Sequence, residues 1–185
     1  MPRWAAALLA VLALAALSAC GSAGYYWQSV HGHLALMQAA RPIDELLTDP
    51  AVADDLKPRL EMARRIRAFA VSELALPDNA SYHRYSDLKR RAAVWSVAAA
   101  PPDALTLKRW CFPVVGCVGY RGYYDEAEAR ALAAQLEQDE GLEVRVYGVP
   151  AYSTLGWLNW AGGDPLLSTF IRYPCLLYTS PSPRD

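Results

Sequence analysis

The sequence predicts an α+β fold: an N-terminal helical pair followed by a small mixed sheet with a crossover helix. Apolar residues recur at three- and four-residue spacing as far as Leu74. After Pro77-Asp78-Asn79 the period changes to that of short strands. One further helical run, opened by Asp125 and closed by Gly141, lies between two such strands, the layout of a crossover.

The 185 residues make one domain or one and a half, with 54% hydrophobic residues, six Trp and eleven Tyr, enough for a sizeable core. Charged residues at 20% argue against intrinsic disorder, and a net charge of -1 gives no footprint for nucleic acid, so none is expected as a partner.

Residues 1–19 are set aside as an export signal, since Arg3 precedes the apolar run Trp4 to Leu17. The run ends Leu17-Ser18-Ala19-Cys20, which resembles a lipobox; Cys20 is then acylated, and an ordinary secretory signal with a chance cysteine is the rival. Gly21 is not the Asp that resembles an inner-membrane retention signal, so the expected location is the periplasmic side of the outer membrane, lipid-anchored. At the other end, residues 175–185, Cys-Leu-Leu-Tyr-Thr-Ser-Pro-Ser-Pro-Arg-Asp, break the pattern with no linker or cap. Read back into codons, they resemble a transposase adapter used in sequencing libraries; a disordered polar tail is the alternative. The natural sequence is expected to leave this chain near Pro174 and to continue. The organisation is therefore a signal (1–19), a helical region (20–77), an α/β part (78–174) and a probable adapter artefact (175–185).

Tyr25 to Ala40 places Trp27, Val30, Leu34 and Met37 on one stripe, predicting an amphipathic helix that buries it. A short helix from Pro42 to Leu47 opens on proline, and Thr48-Asp49-Pro50 punctuates. Leu56, Leu60, Ala63, Ala70 and Leu74 line the next helix, which Pro77 closes; with the first it makes the antiparallel pair. Its Arg59, Arg64, Arg65 and Arg67 form a solvated face rather than a basic binding patch. Val94 to Ala99 is a short strand stopped by Pro101-Pro102, and Leu105 to Phe112 leads into the next.

Trp110 to Tyr124 is the stretch around which the chain is expected to organise. Trp110, Phe112, Val114, Val118 and Tyr120 alternate about a turn at Pro113 to Gly116, predicting a buried hairpin. Asp125 with Glu128 three residues on is a capping box for the helix that Gly141 ends. Leu142 to Val149 alternates again, so strand, helix and strand should form a parallel, right-handed crossover. A loop rich in Trp and Gly, 150–163, precedes Asp164-Pro165, which reads as N-cap and first position of another helix.

Cys111 and Cys117 flank the hairpin turn in a chain bound for an oxidising compartment, so a disulfide is favoured, contributing about 2 kcal/mol; a metal pair fits the spacing poorly, and free buried thiols remain a third reading. His31 and His33, two apart on a helix, point to different sides and are surface residues, and His83 has no partner at ligand spacing. The carboxylates of Asp125 and Glu126 complement a helix start. No phosphate loop, nucleophile elbow or HExxH occurs, so no catalytic residue and no metal ligand is assigned within this chain.

Four segments taken together, Tyr25 to Leu34, Trp110-Cys111-Phe112-Pro113 through Gly122-Tyr123-Tyr124, Tyr147 to Trp157, and Asp164 to Thr169, resemble a proteobacterial aminopeptidase family, in the same order and over nearly all of Tyr25 to Pro174. The resemblance implies an incomplete zincin-like peptidase domain whose HExxH helix follows soon after Tyr173-Pro174. There two His would bind zinc and the Glu would act as general base on metal-bound water. Zinc is thus a cofactor of the full-length protein, a peptide is its substrate, and this fragment is expected to bind no zinc and to be inactive. A sheet edge beside the metal helix commonly aligns substrate in such enzymes, and the loop Tyr152, Ser153, Thr154, Leu155, Gly156 and Trp157 is the candidate to approach the cleft. The alternative function is a non-catalytic envelope lipoprotein that binds a partner through its aromatic loops.

Overall fold

The computed structural model describes residues 23–112, 116–154, 156 and 159–171. The chain divides into two units, one ending at Ala35 and one beginning at Leu36. A helix α1 (23–38) carries the first unit's described residues. From Leu36 onward the elements are β1 (Ala40–Pro42), α2 (Ile43–Thr48), α3 (Lys57–Ser72), β2 (Arg84–Ser86), β3 (Val94–Ala100), β4 (Trp110–Phe112), β5 (Gly116–Val118), β6 (Arg121–Tyr123), α4 (Glu126–Glu140), β7 (Glu143–Val149), β8 (Leu166–Leu167) and α5 (Ser168–Ile171). The fold is α+β, as the sequence predicts.

The stripe on α1 is not buried: Trp27, Val30 and Leu34 are exposed. Periodicity identifies a shared face but not what covers it, and that is why the expectation fails here. In the second unit α2 packs on α3. Pro42 sits just before α2 rather than inside it, and Pro58 occupies the first turn of α3, where its missing N–H leaves no hydrogen bond unmade. Ile43, Leu46 and Leu60 from these helices close a core with Tyr85, Leu166 and Ile171. Leu60 is fully enclosed, and burying such a side chain contributes about 2 kcal/mol.

Two sheets carry the rest. In the first the order is β1-β2-β8, β1 antiparallel and β8 parallel to β2, so the chain near residue 166 returns to pair with the chain near 85. In the second the order is β6-β3-β7, with β3 central and antiparallel to both neighbours. The strands joined by α4 are therefore parallel in sense, as a crossover requires, but β3 lies between them. Val97 pairs with Val146 and Ala99 with Val144, and α4 packs on this sheet with Ala129, Ala133 and Leu136 buried. Asp125 caps α4, its Oδ1 accepting from the amides of Ala127 at 2.7 Å and Glu128 at 3.1 Å. Gly141 ends it in the left-handed conformation, which glycine adopts without steric cost.

The hairpin differs from expectation. β4 and β5 pair as a separate two-stranded sheet whose residues are exposed or half-buried, so the hairpin is neither buried nor the organising element. Its residues 113–115 lie outside the described set, and the residues from Leu105 to Arg109 form no strand. Asp164-Pro165 likewise does not open a helix. Leu166 and Leu167 first form β8, and α5 begins at Ser168, because Asp164 is engaged elsewhere.

Candidate functional site

Three distant segments, 79–82, 151–154 and 162–171, meet around Asp164. This residue is 3% exposed, and its carboxylate accepts three hydrogen bonds from the 151–154 loop. The Ser153 hydroxyl and the Thr154 amide donate to Oδ2 at 2.8 and 2.9 Å, and the Thr154 hydroxyl donates to Oδ1 at 2.8 Å. Its carbonyl accepts from the Tyr82 amide at 2.7 Å, and its own amide donates to Ser81 Oγ at 3.2 Å. A buried carboxylate is costly unless its lone pairs are taken up, and here the donors are backbone and hydroxyl groups fixed in place.

The approach of the segments depends on Gly163. It adopts φ +63, and a β-carbon there would stand 2.5 Å from the Ser81 amide nitrogen and 2.6 Å from the Ala80 carbonyl carbon. Only glycine lets the 162–164 turn press against the 80–82 backbone. Arg84 completes the clasp by donating to the Gly162 carbonyl at 2.9 Å. On the other side Arg67 of α3 donates through Nε to the Ser81 carbonyl at 2.9 Å, through Nη2 to the Asn79 carbonyl, and pairs with Asp78 at 2.8 Å.

Between α3 and this clasp lies a cavity of about 670 Å³, lined largely by apolar side chains, among them Ile66, Ala70, Leu76, Tyr82, Leu166 and Phe170. Arg67, Asn79, Ser81 and Ser153 supply polar groups on its wall. A predominantly apolar hollow of several hundred cubic ångströms with a few placed polar groups is the usual form of a ligand site.

Behind the loop, Tyr152 meets Tyr124 edge-on, ring centroids 5.8 Å apart. Burial pushes the Tyr124 phenol well above the ordinary tyrosine range, and the neighbouring Tyr152 adds to the shift. Tyr152 is raised as well, by burial first. Arg90 stands over the Tyr124 ring and donates to the Tyr124 and Ala93 carbonyls, both at 2.7 Å; burial lowers its guanidinium from the usual value. These groups hold the loop in place: the Thr169 hydroxyl also donates to the Pro150 carbonyl at 2.6 Å.

Of the loop residues singled out by sequence, Tyr152 and Ser153 line the cavity, Thr154 grips Asp164, and Gly156 adopts a positive φ. Leu155 and Trp157 lie outside the described residues, as does Cys20. Cys111 and Cys117 are disulfide-bonded across β4 and β5, where they are direct cross-strand partners. His31 stacks on Trp27, and His83 stands 4.0 Å from Asp78. Among the described residues no three His, Cys, Asp or Glu side chains converge as a metal site. Arg59, Arg64 and Arg65 are exposed, as expected of a solvated face, while Arg67 is half-buried; at this surface Arg64 bonds Asp44 and Glu61, and Arg59 reaches the Ile171 carbonyl. Sequence reasoning missed Asp164, Gly163, Arg67 and Phe170. The signal available was Gly162-Gly163-Asp164 itself, a doublet that suits a tight turn with close backbone approach.

The family model described as "Putative aminopeptidase" matches residues 24–176, which takes in α1, both main sheets and the whole of the Asp164 site. The chain belongs to this family. No curated protein and no solved structure matches it.

Proposed function

We propose that the chain is the N-terminal part of a membrane-anchored, zinc-dependent aminopeptidase, and that the cavity beside Asp164 receives an apolar side chain of the peptide substrate. The observation that supports this reading best is the family match, which spans the clasp and the cavity together. The metal ligands in this reading belong to an HExxH helix downstream of the described residues. The contribution of the present residues is positional. The 151–154 loop is locked by Asp164 on one side and by Tyr124 on the other, so its main chain is a rigid edge along which an extended peptide can lie. The cavity volume accommodates a leucine or phenylalanine side chain against its apolar lining. A lipid on Cys20 places the enzyme on the periplasmic face of the outer membrane.

The test uses the full-length protein, including the chain beyond residue 174. It should hydrolyse leucyl- and phenylalanyl-anilides, lose activity to a chelator and regain it with zinc. Ala70→Trp, which fills the cavity, should raise KM for these substrates far more than for alanyl-anilide. Mass spectrometry should find a diacylglyceryl adduct on Cys20. A second reading, a non-catalytic lipoprotein that binds a partner through aromatic loops, draws on Trp160, which is 85% exposed. Absence of anilide hydrolysis by zinc-loaded full-length protein would favour it.

A further inference from the structure

We propose that the exposed apolar face of α1, formed by Tyr26, Trp27, Val30 and Leu34, is a membrane-contact surface that seats in the headgroup layer of a lipid bilayer. At about 100° per residue these four side chains fall within one arc of the helix, roughly a quarter turn wide. Their exposures are 44%, 73%, 56% and 51%, whereas Gln28, Ser29, Gly32 and His33 are half-buried. Four apolar side chains thus share one exposed face, which is costly in water unless another phase covers it.

The occupant follows from the chemistry of the face and its place in the chain. Tryptophan and tyrosine combine an apolar ring with one polar group, the combination that suits the boundary between acyl chains and headgroups. Between Arg3 and Arg41 the sequence has no Asp, Glu, Lys or Arg, so nothing charged must be desolvated when the helix settles against lipid. No described helix is long and apolar enough to cross a membrane, so α1 would lie along the surface rather than span it. Cys20 precedes Tyr26 by six residues, so a lipid attached there keeps this face within about 20 Å of its anchor. With no Asp, Glu, Lys or Arg on the helix, binding measured at pH 8 should be independent of anionic lipid and insensitive to salt. This placement rests on the lipoprotein reading of Cys20; the affinity of the face for lipid does not.

The experiment uses the full-length protein from residue 20 carrying Cys20→Ser, so that no acyl chain contributes, and co-sedimentation with phosphatidylcholine vesicles. The parent should sediment with vesicles at low and high salt alike. Trp27→Glu and Val30→Glu should each bind about tenfold more weakly, with thermal unfolding unchanged. Dibromo-phosphatidylcholine should quench part of the parent's tryptophan emission and not that of Trp27→Phe. The proposal is overturned by no sedimentation above a vesicle-free control, by equal binding of Val30→Glu, by binding that high salt abolishes, or by a parent dimer that Val30→Glu dissociates, which would make a second copy the occupant. Because no peptidase activity is read, such a failure leaves the aminopeptidase reading standing, and the Cys20 adduct is scored separately by mass.

Discussion

The Asp164 clasp and the Cys111–Cys117 hairpin are held together in opposite ways. The hairpin is closed by one covalent bond between residues six apart in sequence, with little burial to support it. The clasp has no covalent link, yet it joins segments some eighty residues apart through hydrogen bonds to a carboxylate, a close glycine contact and a parallel strand pair. A short cross-link restricts only a small loop of the unfolded chain. A buried polar hub, by contrast, leaves several groups unsatisfied at once when it is lost. The clasp should therefore govern both stability and the shape of the cavity, and the hairpin should behave as an appendage.

The sharpest way to break that contrast is Asp164→Ala. It removes a buried carboxylate together with the three charge-assisted hydrogen bonds it accepts from the Ser153 hydroxyl and the two Thr154 donors, and the expected cost is about 4 kcal/mol in urea unfolding. Asp164→Asn, which retains the shape and part of the hydrogen bonding, should cost about half as much. If Asp164→Ala costs less than loss of the disulfide, the clasp is not a hub.

Next in size is Gly163→Ala, expected to cost about 3 kcal/mol, because the added methyl meets backbone atoms that cannot swing aside and the residue must hold a positive φ. Gly141→Ala supplies the control. Its φ is also +63, but a β-carbon there meets nothing within 4 Å, so only the conformational penalty of about 1 kcal/mol remains. Equal costs at the two positions would mean that the close approach of the 162–164 turn to Ser81 contributes nothing.

What was legible in the sequence follows the same division between local and distant interactions. The capping of α4 by Asp125 and its termination at Gly141 depend on residues within a few positions, and both are found as read. The Cys111–Cys117 geometry is local as well. The centrality of β3 is not, since Val94 to Ala100 finds β7 some fifty residues away, and no periodicity within the strand announces its partners. Leu166-Leu167 is too short to show a strand pattern, and Asp164-Pro165 satisfies the rules for a helix start so well that a distant hydrogen-bond network is needed to override them. The stripe on α1 was legible as a stripe; whether protein or another phase covers it is a property of the surroundings, not of the repeat.

Removing the disulfide, as Cys111→Ser with Cys117→Ser, ranks third. The closed loop is short, so the loss is expected at about 2 kcal/mol or less, read as a lower urea midpoint, while on the proposed peptidase reading KM for leucyl-anilide stays unchanged. A change in substrate KM on a par with that of Ala70→Trp would show instead that the hairpin shapes the site.

The smallest effect at ordinary pH is an alkaline one, and it too belongs to the clasp side. Tyr124 and Tyr152 titrate above the ordinary tyrosine value of about 10 in the folded chain, chiefly because burial disfavours the phenolates. The folded state thus holds these two protons more tightly than the unfolded chain does. Their contribution to stability is complete below pH about 10 and declines as the pH rises through that value and toward the folded-state values. The urea midpoint should accordingly show no dependence on this pair between neutral pH and the onset of tyrosine ionisation, then fall. Tyr124→Phe combined with Tyr152→Phe should flatten the alkaline limb. The disulfide-free variant should shift the whole curve downward and keep its shape, because it retains both tyrosines. An alkaline limb that persists unchanged in the double phenylalanine variant would place the titrating groups elsewhere and remove the tyrosine pair from the forces that hold the 151–154 loop.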